Sequence, residues 1–142
     1  MTHSYSAADI YRIGSGVFHR TLPKPEWTHA AHFAAAFWLI ERSGRNAARE
    51  MPAIIRAYNE ATGVANTDTG GYHETITLAS LRAAHAWLDA RTHLALHEAL
   101  SEFLASEYGR SDWLLAFWSK PVLFSVAARR RWVDPDLKPL PF

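Results

Sequence analysis

Cysteine is absent from the 142 residues. That excludes disulfide scaffolds, Cys-based zinc sites, iron–sulfur clusters and thiol nucleophiles. An excess of charge of either sign is also missing. Lys and Arg total 15 against 14 Asp and Glu, a formal net charge of +1. This gives no electrostatic case for nucleic acid or an anionic membrane as the main partner. Long hydrophobic runs are lacking too. The longest uncharged apolar stretch, near residues 30–40, is too short to cross a bilayer and contains His32. The opening Met1-Thr2-His3-Ser4-Tyr5 has no basic end followed by an apolar run, as a secretory leader would. A cytoplasmic location is the expectation.

What remains is a globular composition, 49% hydrophobic and 20% charged, with two excesses. Aromatic residues reach 13%, and histidine occurs eight times. Without thiols, transition-metal chemistry would depend on those imidazoles and on carboxylates.

No segment alternates apolar and polar residues as a half-buried strand does. Helical spacing predicts a short helix over 6–13, ended by Gly14-Ser15-Gly16. A second runs over about 25–42, opened by Pro23 and Pro25 and stopped by Ser43-Gly44. Asn46 can cap a third to about Ala61. After a polar loop, further helices are expected over 72–90, 93–108, 112–118 and 122–132, followed by an extended Pro-rich tail. The expected fold is all-α: one domain over 1–142, a bundle of five to seven helices.

Three segments carry candidate chemistry. In Trp27-Thr28-His29-Ala30-Ala31-His32, the two histidines are three apart and lie on adjoining parts of one face. Residues 30–40 are apolar nearly all round, the mark of a buried helix. Imidazoles at its entrance need hydrogen-bond partners or a metal, and both readings stay open. The second segment, Asn66 to Thr77, is polar and glycine-rich. With Gly71 as N-cap, Glu74 could reach back to a free amide, and His73 would sit in the first turn. The helix dipole there favours a neutral ring, fit for ligation or for proton transfer. In the third, His93 and His97 are spaced for two ligands on one helix but flank its core face. His85 lies among alanines and is read as a packing residue. Arg129, Arg130 and Arg131 suit the negative end of a helix better than they suit a phosphate.

Three motifs carry a resemblance: Trp-Thr-His-x-x-His at 27–32, Gly-Tyr-His-Glu-Thr-x-Thr at 71–77, and an Ala-Arg-rich, Trp-Val-x-Pro-Asp-Leu-x-Pro-Leu ending at 128–140. The chain resembles a family of small, uncharacterised bacterial helical proteins. The resemblance implies an all-helical domain with sites in the first two motifs, and no reaction. More loosely, it is similar to metal-binding four-helix bundles related to DNA-damage-inducible and thiol-transferase proteins, in which His93 and His97 would form the ligand pair.

The leading expectation is a metal-dependent enzyme acting on a small molecule by hydrolysis or a related addition–elimination. His29, His32 and His73 would hold a divalent zinc, iron, nickel or copper ion, leaving a position open for water. Glu74 would be the acid/base, with Tyr72 as its catalytic companion; Asn66, Thr77 and Trp27 would contact the substrate. The competing expectation is a non-catalytic protein that binds a small ligand, and a third is a metal-binding bundle using His93 and His97. Partners would be that small molecule and, at most, a second copy in a homodimer.

Overall fold

The computed structural model describes residues 4–142; Met1, Thr2 and His3 of the opening segment, on which the expectation of no secretory leader rests, lie outside the described residues. The all-α expectation holds, with no strand among the described residues. Five longer helices, α1 Ala7–Phe18, α2 His29–Ser43, α3 Ala47–Ala61, α4 Glu74–Asp89 and α5 Leu96–Ala105, are followed by two short ones, α6 Lys120–Leu123 and α7 Val126–Arg130.

Helix α2 is the hub. Its residues 33–40 are all buried, and α1, α3, α4 and α5 pack around it. The Thr28 hydroxyl caps it by accepting from the Ala31 amide at 3.2 Å, so it begins at His29 and not at Pro25. The preceding residues, Lys24–Glu26, form a 3-10 turn. Phe103 of α5 lies against Phe33 and Phe37, with ring centroids 4.6 and 5.3 Å apart, and Tyr108 stacks on it at 4.9 Å. Each such pair adds about 0.5–1.5 kcal/mol to simple burial.

Two expected boundaries move for clear reasons. Helix α1 runs straight through Gly14 and Gly16: Gly14 makes room where α1 crosses α2, and Gly16 lies against Leu22 of the following loop. A β-carbon at Gly14 would sit 2.3 Å from Trp38 Cγ. Helix α5 starts at Leu96, three residues late, because the Glu98 carboxylate accepts from the Ala95 amide at 3.1 Å and fixes the first turn there.

The C-terminal segment is less helical than its spacing predicts. Trp113–Ala116 is a 3-10 turn. Pro121 helps to open α6, and Ser125 caps α7 by accepting from Ala128. Beyond α7 the chain is irregular but pinned. The buried Thr75 hydroxyl donates to the Arg131 carbonyl (2.8 Å) and accepts from the Val133 amide (3.1 Å). Trp118 Nε1 donates to the Val133 carbonyl at 2.9 Å. Asp136 accepts from the Ser119 amide at 2.8 Å, and the Leu137 amide donates to the Phe117 carbonyl at 2.9 Å.

Candidate functional site

His29 and His32 open α2, and a backbone carbonyl fixes each ring. His29 Nε2 is 3.0 Å from the Tyr108 carbonyl, and His32 Nδ1 is 2.6 Å from the Thr28 carbonyl. A carbonyl can only accept, so the proton sits on Nε2 of His29 and on Nδ1 of His32. In the neutral rings, Nδ1 of His29 and Nε2 of His32 are left with a lone pair and no hydrogen-bond partner among the described residues. The His32 ring stacks on Trp27, centroids 3.7 Å apart, and Phe33 meets the His29 ring edge-on at 5.2 Å. Crowding by surrounding protein lowers the His32 pKa toward about 4, against the opposing pull of the Thr28 carbonyl. The residue nonetheless keeps an exposed edge, and water there limits the fall.

Both rings line a cleft of about 430 Å³. Its other walls are Ile76 and Ser80 of α4, residues 111–115, and Leu123 with Phe124. The lining is mainly apolar, with Ser80, Ser111, Asp112 and the indole N–H of Trp113 as its further polar side-chain groups. Asp112 is gripped by Arg110 through two bonds of 3.2 Å. Phe124 stands at the rim, 56% exposed. A smaller recess of about 50 Å³ adjoins the cleft across His32, Phe33, Ile76 and Ser80, and reaches Thr77, Met51 and Ile55.

His73 belongs to a different assembly. It is the N-cap of α4 and lies outside the first turn. Its Nδ1 accepts from the Ile76 amide (3.1 Å) and its Nε2 donates to the Leu123 carbonyl (2.7 Å). Both nitrogens are spent, so the ring has no lone pair to offer a metal. Burial holds it below the ordinary imidazole pKa, the neutral state that its capping role requires. The expected triad of His29, His32 and His73 is therefore not assembled. Among the described residues no three His, Asp or Glu side chains are placed to hold an ion.

The remaining candidates divide in the same way. Glu74 is the first residue of α4, not the third, and its carboxylate accepts from the Tyr72 hydroxyl. Burial and that carboxylate push the Tyr72 phenol well above its usual pKa, while the Arg56 guanidinium lies 4.5 Å over its ring. Asn66 staples the loop: its Oδ1 accepts from the Tyr72 amide and from Asn59 Nδ2, both at 3.0 Å, and its Nδ2 donates to the Arg56 carbonyl at 3.1 Å. Gly71, at φ 77°, passes so close that a β-carbon would lie 2.5 Å from the Ala65 carbonyl oxygen. Arg129 donates to the Gly71 and Tyr72 carbonyls, and Arg130 grips Asp68. Thus Tyr72, His73, Glu74 and Asn66 build a braced helix start. Of the expected site residues, His29, His32 and Thr77 border the cleft or its recess, and Trp27 backs His32.

His93 and His97 do not share a helix. His93 is exposed in the turn before α5, and His97 borders a separate groove beside Tyr11, Trp38 and Glu41. Ser80, Asp112 and Trp113 were not among the expected site residues. One usable signal existed: Ser80 lies four residues after Ile76 and three after Thr77, which puts two hydroxyls on adjoining parts of one face of α4.

No family model, no curated protein and no solved structure matches this chain.

Proposed function

We propose that this chain is a small-ligand-binding helical protein whose ligand enters the cleft between α2, α4 and residues 111–124. One observation carries the reading: two imidazoles with unpartnered ring nitrogens border an apolar cleft of ligand size. Aromatic and aliphatic walls supply affinity, and a few convergent polar groups supply orientation. The test is a metabolite screen by thermal shift on the wild type and on Ser80→Trp, which fills the cleft. A ligand that binds only the folded protein raises its apparent stability by mass action. Hits should stabilise the wild type and leave Ser80→Trp unmoved. Hits that act equally on both proteins refute the cleft as the site.

A second reading draws on the same imidazoles. Two neutral rings with free lone pairs suit a divalent ion such as zinc, iron, nickel or copper, whose remaining ligands would come from water and substrate. In that reading hydrolysis takes place in the cleft, with Glu74 and Tyr72 outside it. Metal titration of the wild type beside a His29→Ala/His32→Ala double variant separates the two: retained binding only in the wild type favours the ion, and equal behaviour discards it.

A further inference from the structure

The two carbonyls that hold the histidines also decide what the cleft can recognise. The Tyr108 carbonyl takes the proton-bearing nitrogen of His29, and the Thr28 carbonyl takes that of His32. What each neutral ring has left is an acceptor. The Asp112 carboxylate in the same wall is also an acceptor, and the guanidinium of Arg110 that faces it is already engaged. Ser80 and Ser111 can play either role. Among the described residues no lysine or arginine lines the cleft, and the Trp113 indole N–H is the one side-chain group there that can only donate. The polar side chains therefore offer an excess of lone pairs over donors, set in apolar walls.

Resting on the ligand-binding reading above, we infer that the cleft selects compact apolar molecules headed by a hydrogen-bond donor, an alcohol or amine, and discriminates against carboxylates of the same shape. A hydroxyl head gives its one hydrogen to the lone pair of His29 or of His32, and an ammonium head can donate to both. A carboxylate would surrender its water shell and meet acceptors in return. Either imidazole could welcome an anion only by taking up a second proton, and at His32 crowding by surrounding protein and the neighbouring His29 oppose that charge.

The experiment compares three probes with one body: 4-methylbenzyl alcohol, 4-methylbenzylamine and 4-methylbenzoate. Each is titrated to about 10 mM into the full chain at pH 8, with amide chemical shifts as the readout; weak millimolar affinities are measurable in this way. The alcohol and the amine should perturb residues 29–33, 76–80 and 111–115, with dissociation constants at least about tenfold below that of the benzoate. His32→Phe keeps a ring against Trp27 and removes a lone pair, so it should narrow that gap. Ser80→Trp should abolish the shifts from all three probes.

Two failures are distinguishable. If the benzoate binds as tightly as the alcohol or tighter, and Ser80→Trp abolishes its binding, the donor selectivity is overturned while the cleft stands as the site. If no probe perturbs the cleft residues, or if Ser80→Trp leaves the shifts intact, the cleft reading falls and the inference falls with it.

Discussion

His73 separates a structural account of the Gly-Tyr-His-Glu-Thr segment from a chemical one. Replacing it with alanine removes an N-cap acceptor for the Ile76 amide and a donor to the Leu123 carbonyl. The lost cap costs about 1 kcal/mol. The Leu123 carbonyl is left unpaired in a buried setting, at about 1–3 kcal/mol. His73→Ala should therefore lose about 2–4 kcal/mol, a large share of a typical domain's stability. Asparagine can cap but cannot reach Leu123, so His73→Asn should regain about 1 kcal/mol of that loss. Urea denaturation followed by far-UV circular dichroism measures both. The loss should be the same with and without EDTA, since the ring serves backbone groups and not an ion. An alanine variant within about 0.5 kcal/mol of wild type refutes the capping argument. So does an asparagine variant no better than alanine, or a loss that disappears in chelator.

Gly14→Ala should destabilise by at least about 1 kcal/mol despite alanine's better helix propensity, because its β-carbon would overlap Trp38; a variant as stable as wild type in urea would contradict the packing. Asn66→Ala should cost about 2–3 kcal/mol by releasing three loop bonds, read by the same assay, and a loss under about 0.5 kcal/mol would deny the staple. His85→Leu should leave stability unchanged or raise it by up to about 1 kcal/mol, because His85 Nε2 is buried without a partner; a clear drop in the midpoint counts against this. Stability should fall as the pH drops below about 6.5, where unfolded imidazoles take up protons that folded His32, His73 and His85 resist. The sign follows from the lowered folded pKa values: the contribution is complete above the unfolded value and lost toward the folded ones. A thermal midpoint that is flat or rising from pH 6.5 to 4.5 overturns it.

The helices were readable where composition acts locally. The apolar run of α2 and the terminator Ser43-Gly44 placed the buried hub and its two histidines, whereas the prolines pointed to a start at Pro25 and the Thr28 cap sets it at His29. The cleft was not readable, because its second wall comes from residues 111–124, some eighty positions away along the chain. Local spacing there speaks only of short helices, and no rule of periodicity says which of them faces α2. His73 was misplaced for a subtler reason. Caps are expected from Ser, Thr, Asp or Asn, yet an imidazole Nδ1 can occupy the same position, which moved the start of α4 by two residues. Thr75, whose type alone suggests a solvent-exposed residue, is fully buried because its hydroxyl ties down two backbone groups from beyond α7.

Those ties have a consequence for biosynthesis and for proteolysis. Thr75 and the Trp118 indole depend on backbone that the ribosome adds only after residue 130. A nascent chain halted before that point would hold the helices in place yet leave polar atoms at their centre unquenched, together with bare indole. Completion of the native state should thus wait until residues 131–133 have been added, and a nick between residues 130 and 137 would return the molecule to that unfinished condition.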